Sequence, residues 1–591
     1  MKKHRFDKYD LCAGGIIVSA TLLRFILILL TWPAAFNDEA TIGLMALHIA
    51  YHGAHPLLYY GQNYLGSLEA YLGAAFFKIF GPSTVALRVG LIPIFALFLT
   101  CLYLLASLVY SKGLAIFSII VVGLGAPDEV FRELLAEGGT PELFFFTTLL
   151  LLLTVWLALT SNSPQLEQHK DGEKGVMKRP GLSRLLLYGA WGAIAGLDMW
   201  SHLLCVPFVL GAGLFLALFC RKELRLAALS LLTACLLIGV SPLLIYNVTV
   251  PLTSPNQLSV YGVGGYHEAS YPPPVSSKNP PRTSPAPGPV LQVAGTLLVA
   301  IPVATGGIAL CPISQSAAWP LPDHPNRYFI LCSSIHGAWS LGLLALLFVA
   351  VAGAVRSFRL HWNAPPGQER SLKQRREAIR QAARLMILAG PTLTLLIFIA
   401  SPIPAGAPWT SARYLVGFLI AVPALLYPLW EKRDRVQQIG HAWMRYFSKY
   451  LRFALLLLIF LVSLLGTITI FTGQVSVSQA TFRRAYVLIG DLRQLGATHI
   501  YTDYNDCDRI AYLSNEQIIC AVLDTGLKPG LDRYFPYREM VARWPNPFYV
   551  FSAGSAQAQL FEIKAGEQHI TYLKLKMYGY VVYKPERRVV T

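Results

Sequence analysis

Apolar residues in this chain come in long blocks, and that limits the folds open to it more than any motif does. Runs of roughly 17–25 predominantly apolar residues match the hydrocarbon thickness of a bilayer. They recur here from Leu11 to Phe471. Only 14% of the 591 residues are charged and 54% are hydrophobic, with a mean hydropathy of +0.49. A soluble protein of this length exposes far more charge, and the apolar and aromatic content excludes disorder for most of the chain. The expected fold is a polytopic α-helical membrane protein.

The spans are read at Leu11–Leu30, Val85–Val109, Leu114–Gly125, Leu143–Leu159, Leu185–Trp200, Leu203–Phe219 and Leu226–Ile245. Ala338–Val355, Ala383–Ile399, Leu415–Leu429 and Phe453–Phe471 complete about eleven. The first follows Lys2, Lys3, Arg5 and Lys8 and is long for a signal sequence, so it reads as a retained helix with a cytoplasmic N-terminus. Alternation then places Lys170–Arg184, Arg221–Arg225, Arg356–Arg384 and Lys432–Arg452 in the cytoplasm, all dense in Arg and Lys. The loops on the other side hold few basic residues: Lys78, Arg132, Lys278, Arg282, Arg327 and Arg413. This asymmetry satisfies the positive-inside rule. Leu291–Cys311 is apolar but interrupted by Gly and Pro, and a full span there would invert every later loop. It reads as re-entrant or interfacial, after a Pro/Ser-rich loop.

The net charge of +17 is carried mainly by those short loops. No basic stripe with interleaved aromatics marks the soluble part, so no nucleic-acid partner is expected. The nine cysteines form no CxxC pair and no zinc spacing. Cys507 and Cys520 are placed to pair if their side of the membrane is oxidising.

Near Gln474 charge rises and the long apolar runs end. THIYTDY, QIICAVL, PFYVFSA and YGYVVYK read as strands, while RIAYLSNE and LDRYFPYREMVARW read as helices. The expected organisation is a transmembrane domain, 1–472, and a small extracytoplasmic α/β domain, 473–591.

The chemistry is expected in two outside loops, 33–83 and 127–142. Asp38 and Glu39 follow the first span directly. Adjacent carboxylates are poor membrane anchors, whereas a carboxylate there can act as a general base or ligate a divalent cation. The bland alternative is that both favour the positive end of a helix starting near Ala40. His48 and His52 share a helix face and His55 follows, but no HExxH accompanies them, so they read as interfacial polar residues. Tyr59, Tyr60, Gln62, Asn63, Tyr64 and Glu69 form a polar, aromatic cluster suited to a sugar face, or equally to an interfacial belt. The second loop carries Asp128, Glu129, Glu133, Glu137 and Glu142, and Gly138-Gly139 after Glu137 lets backbone approach a ligand. His202 with Asp198, Asn247, and Arg413 with Tyr414 lie at outer ends of spans. Arg413 is suited to a phosphate or to snorkelling.

Taken together, Asp38-Glu39 after the first span, the acidic second loop, the late Arg413-Tyr414 and the C-terminal domain resemble the GT-C class of integral membrane glycosyltransferases. The layout is similar to bacterial relatives of protein O-mannosyltransferases and of the aminoarabinose transferase that modifies lipid A. The resemblance covers most of the chain, with Glu137 matching its position only loosely. It implies an outer-face cavity, a polyprenyl-phosphate sugar donor, and a protein, lipid or glycan acceptor. It further implies Asp38 as base or acceptor-orienting residue, Glu137 as second-loop acid, and inverting transfer. Glu39 joins the expected catalytic set. Tyr60, Gln62, Asn63, Tyr64, His202, Arg413 and Tyr414 form the expected substrate-binding set. No residues are assigned to a metal, although a divalent cation is compatible with the acidic loops. The rival readings are a transporter or lipid flippase, and a non-catalytic scaffold. Charges collected at the outer boundary and the lack of a visible repeat argue against the transporter.

Overall fold

The computed structural model describes residues 7–161, 181–250, 288–322, 324–362, 372–431, 442–569 and 571–586. Most of the basic loop from Lys170, the Pro/Ser-rich stretch with Lys278 and Arg282, and the start of the loop from Lys432 lie outside the described residues.

The apolar blocks form helices. Among the described residues seven are long and apolar enough to cross a bilayer, or up to nine if each of two bent pairs is one span. The expected eleven is therefore not reached by length and composition alone. All eleven segments are helical, but four qualify only in altered form or not at all, among them Leu415–Leu429, which lies in a pair, Pro408–Ile420 and Val422–Trp430, bent by 58°. Lys112–Leu124 turns by 83° into Pro127–Leu134, so part of the acidic second loop is itself helix. The segment at Leu182–Ser201 carries Arg184, Asp198 and three glycines and is less apolar. Leu203–Phe219 is an apolar helix of fewer than eighteen residues. The glycines have a packing reason: a Cβ at Gly192 or Gly196 would lie 2.1 or 2.3 Å from the Leu232 or Leu236 carbonyl oxygen of Leu226–Thr249. Small residues four apart let two membrane helices approach backbone to backbone.

Ion pairs lock the start of the chain into this body. Helix α1 (Lys8–Leu29) buries Arg24 against Glu133, Nη2 to Oε2 2.7 Å, with both side chains at most 1% exposed. Arg24 also donates to the Gly123 carbonyl at 2.8 Å, which ties α1 to the bend. Helices α2 (Asn37–Tyr51) and α3 (Leu68–Phe80) follow, too short to span. They pack on each other and on the C-terminal domain, whose buried apolar residues are continuous with theirs.

Leu291–Cys311 falls on one short helix, Pro289–Ala304, with a wide turn inside it at Thr296–Ala300, followed by a separate turn at Gly307–Leu310. Residues 299–304 are almost wholly buried, so they line the protein interior instead of facing lipid. A disulfide between Cys311 and Cys332 fastens its end to the long helix Arg327–Trp362.

The change of composition near Gln474 falls on a wide turn, Ile470–Gln474, inside a helix that runs on from the last membrane segment to Gln494. Beyond it lies a five-stranded sheet in the order β2-β1-β3-β5-β4. Its strands are β1 (His499–Thr502), β2 (Ile519–Val522), β3 (Phe548–Ser552), β4 (Tyr572–Met577) and β5 (Tyr580–Pro585). β1 runs parallel to β2 and β3, while β5 runs antiparallel to β3 and β4. The helix Ala556–Glu567 and β4 were not expected from the sequence. β4 is an exposed edge strand rich in Lys, which blurs its apolar signal. Cys507 and Cys520 are bonded, pinning the helix Tyr504–Leu513 to β2.

Candidate functional site

Three carboxylates from the two loops have different surroundings. α2 begins at Asn37, three residues before the expected start, and Phe36 caps it without a side-chain hydrogen bond. Asp38 and Glu39 therefore sit in the first turn, about 100° apart around the helix, and meet different partners. Glu39 lies in the interior, where both its oxygens accept from Arg88, each at 2.6 Å. Glu137 is similarly occupied: both oxygens accept from Arg132 Nη1, at 2.6 and 2.8 Å. Asp38 differs from both. Its Oδ1 accepts from Tyr504 (3.0 Å), from Arg533 Nη2 (3.0 Å) and, weakly, from Tyr59 (3.4 Å). Its Oδ2 takes no hydrogen bond from the described residues. The Asp38 side chain is 14% exposed, against 1% for Glu39 and 4% for Glu137.

The cage around Asp38 is built from both ends of the chain. Asp503 caps the helix Tyr504–Leu513, accepting from the Asn505 and Asp506 amides, and so fixes Tyr504 at the first helical position. Arg533 donates through Nε to the Tyr504 hydroxyl at 2.9 Å and lies over the Tyr59 ring at 5.1 Å. With its amide oxygen turned to Arg533, Gln62 accepts from Nη1 at 2.8 Å. One turn along α2, the Thr41 hydroxyl donates to Asp508. Burial pushes the Asp508 carboxyl up to about 6, in spite of that hydrogen bond.

A second polar centre lies in a cavity of about 670 Å³ walled by Trp32, Phe36, Phe131, Trp409, Val303, Ile308 and Ile313. Asp128, Arg132, Glu137 and Arg413 open into it. Arg132 bridges Asp128 at 3.2 Å and Glu137 at 2.6 Å. Arg413 makes no ion pair among the described residues, and its one hydrogen bond there is a long 3.4 Å contact to the Tyr414 hydroxyl. The partial burial of His202 and the charge of Arg413 push that imidazole down to about 3, so it is neutral at physiological pH. His202 Nδ1 accepts from the Leu204 amide. The Glu137 loop is held from beneath, because Glu69 accepts from the Gly138 and Gly139 amides, each at 2.9 Å. Both glycines have positive φ, and a Cβ on Gly139 would lie 2.4 Å from the Ser201 carbonyl oxygen. Only glycine makes this turn.

A further cavity, also about 670 Å³, is apolar and lies between the helices Arg327–Trp362, Val422–Trp430 and Ala442–Thr469. Its wall includes Ala304, Thr305 and Leu310, while that of the polar cavity includes Val303, Ile308 and Ala309. The short helix Pro289–Ala304 and the turn after it thus lie between the two.

The expected site residues divide accordingly. Asp38 and Gln62 meet around Arg533, and Glu137 and Arg413 meet in the polar cavity with His202 beside Arg413. Tyr60 stands apart, its hydroxyl 2.9 Å from His48 Nδ1. Asn63 offers its backbone carbonyl to Asn247 Nδ2 at 2.9 Å, while its own Nδ2 is buried without a partner. Tyr64 and Tyr414 are both engaged within the fold. Tyr504 and Arg533 were not expected, and no local signal marks them. Arg132 lay in plain view four residues from Asp128, a spacing that pairs charges across one helical turn, whereas Glu137 reaches it from the loop beyond the helix.

No protein-family model matches the chain, and no curated protein sequence matches it. Among solved structures, the oligosaccharyltransferase AglB of Archaeoglobus fulgidus, in complex with an inhibitory peptide and a dolichol-phosphate, is 14% identical. That likeness covers 97% of this chain and 74% of that one, with a TM-score of 0.44. The same protein's complex with zinc and sulfate is 14% identical over 96% and 72%, with a TM-score of 0.45. ArnT of Cupriavidus metallidurans bound to undecaprenyl phosphate is 12% identical over 97% of both chains, with a TM-score of 0.40.

Proposed function

We propose that the chain is a glycosyltransferase that takes a sugar from a polyprenyl-phosphate carrier and delivers it to an acceptor hydroxyl. The observation that carries this reading is Arg413. It is a guanidinium without an ion-pair partner among the described residues, in a polar cavity that shares the wall 303–310 with an apolar one. A lipid phosphate has the same two halves. Its tail would occupy the apolar cavity, and its phosphate would meet Arg413 in the charge-assisted geometry guanidinium favours.

Asp38 is our base. A useful base is held in place yet keeps a lone pair for the incoming proton. Oδ1 of Asp38 is clamped and Oδ2 is not, whereas Glu39 and Glu137 have both oxygens on arginine. Asp38 Oδ2 would take the acceptor's proton as its oxygen attacks the anomeric carbon and the carbon–phosphate-oxygen bond breaks. Arg413 would stabilise the charge gathering on the departing phosphate, against a transition state of oxocarbenium character. Glu137 and Asp128 hold Arg132 in the cavity wall. A divalent cation bound by them would have to displace Arg132.

The chemistry would take place on the extracytoplasmic face, in loops 33–83 and 127–142 of a transmembrane domain, 1–472, under the domain 473–591. Both disulfides, Cys311–Cys332 and Cys507–Cys520, support this orientation, because the topology read from the basic loops would put all four cysteines outside and disulfides persist in oxidising compartments.

The test is to incubate the purified protein with a panel of polyprenyl-phosphate sugars and envelope extract, with and without a divalent cation. Release of polyprenyl phosphate is followed by mass spectrometry. Wild type cleaves one donor, and Asp38→Asn is slower by about 10²–10⁴-fold with an unchanged melting temperature. Near-normal turnover in folded Asp38→Asn removes Asp38 from its role. No cleavage of any donor by wild type overturns the function.

A further inference from the structure

His48 and His52 are one turn apart on α2, their rings stacked with centroids 5.4 Å apart. The C-terminal domain brings Glu516 up to both: Oε1 lies 2.9 Å from His48 Nε2 and Oε2 3.7 Å from His52 Nε2. One donor atom from each residue fits within 4.8 Å of the others. Tetrahedral zinc, with ligands at about 2.0–2.1 Å, sets donor atoms about 3.3 Å apart. Closing these three around one ion takes side-chain shifts of about an ångström or so.

Three further observations point to a ligand. The Tyr60 hydroxyl sits 2.9 Å from His48 Nδ1, the kind of outer partner that orients a metal-binding imidazole and leaves Nε2 for the ion. Glu516 has φ 61 and follows Asn515 at φ 50, a left-handed pair that a glutamate adopts only when its surroundings impose it. The Tyr537 hydroxyl also donates to Glu516 Oε1 at 2.5 Å, holding the carboxylate in place. The His52 side chain is 56% exposed, which leaves a path for an ion and room for water.

We propose that His48, His52 and Glu516 bind one Zn²⁺ as a three-ligand site with a fourth position open to water, clamping the C-terminal domain onto α2. Two imidazoles and one carboxylate are a borderline donor set, suited to zinc and not to magnesium or calcium. The site is separate from the proposed chemistry: Asp38 lies ten residues earlier on α2, roughly 15 Å along its axis. The rival is a plain His48–Glu516 ion pair.

The experiment strips the full-length protein in detergent with a chelator and dialyses it against micromolar zinc chloride in excess magnesium. Metal content is then read by plasma mass spectrometry. Wild type should retain about one zinc per chain, and zinc should raise its melting temperature. His52→Ala changes an exposed side chain and should keep the fold while losing both effects. Glu516→Gln should lose the zinc as well, and His55→Ala, on the neighbouring loop, should keep it. Wild type that holds no zinc after dialysis overturns the proposal, as does zinc retained equally by His52→Ala.

Discussion

The two polar centres are assembled in opposite ways. In the cavity centre the carboxylates and their arginine are neighbours in sequence, with Asp128, Arg132 and Glu137 pairing within ten residues on one helix and its turn. In the Asp38 centre the partners come from far away: Arg533 is 495 positions from Asp38 and Tyr504 is 466. The first centre can form once its local helix forms. The second requires the C-terminal domain to be folded and docked on α2. Regulation and specificity can enter at the second centre, because it alone changes if the soluble domain shifts.

The strongest test of this division removes what fixes α2 itself. Arg88→Met leaves the Glu39 carboxylate buried without its partner, a change of about 3–5 kcal/mol. The protein should fail to fold or should melt far lower, by differential scanning fluorimetry, instead of showing a selective kinetic defect. A stable, slow Arg88→Met would place Glu39 in the chemistry.

Next comes Arg413→Met, which acts on the cavity centre alone. Losing a charge-assisted contact to phosphate should raise KM for the lipid donor by roughly 10–100-fold. Lysine should restore part of it. An unchanged KM would break the assignment of this cavity to the donor phosphate.

Arg533→Met acts on the Asp38 centre. If Arg533 positions the base, kcat should fall roughly 10-fold with donor KM unchanged, and Arg533→Lys should recover part of the loss. A rise in kcat would mean that the guanidinium blocks Asp38, and the comparison would have to be redrawn with the domain as an inhibitor.

The smallest effect is expected at Asp508, where the domain meets α2. Its folded value, about 6, lies above its ordinary value of 3.8. The folded state therefore holds the proton longer, and this group's contribution to stability is complete below about pH 4 and lost as pH rises through 6. Asp508→Asn keeps an acceptor for Thr41 and should stabilise the protein at pH 7–8 by up to roughly 2 kcal/mol. The gain should vanish near pH 4 in melting curves. A gain that does not depend on pH would point to packing instead of charge.

Much of the architecture was readable from the chain. Apolar blocks gave the helices, and the composition shift near Gln474 marked the change from membrane body to sheet domain. The position of Asp38 after the first span singled it out, and Arg413 stood out at a span end. The bend after Leu124 was not readable, because a turn of 83° in an apolar run follows from what packs around it. Neither was the Cys311–Cys332 bond, since both cysteines lie in or beside apolar runs, where cysteine also serves as a small hydrophobe. Tyr60 was grouped with Gln62 and Asn63 because they are adjacent in sequence. The fold turns it away to His48.

By itself, then, the sequence determined the solvent. Long apolar runs cannot be hidden in a water-soluble fold of this size, so the body had to be helical and membrane-embedded, with charge collected at its edges. Only the tertiary structure decided what each edge charge does. Asp38, Glu39 and Glu137 have the same carboxyl chemistry, and the first two are neighbours in sequence. They differ because Arg88 and Arg132 occupy both oxygens of two of them, whereas Arg533 and two tyrosines occupy one oxygen of the third. Electrostatic pairing and burial depend on distances in space, and for Asp38 those distances are set by contacts between segments nearly five hundred residues apart.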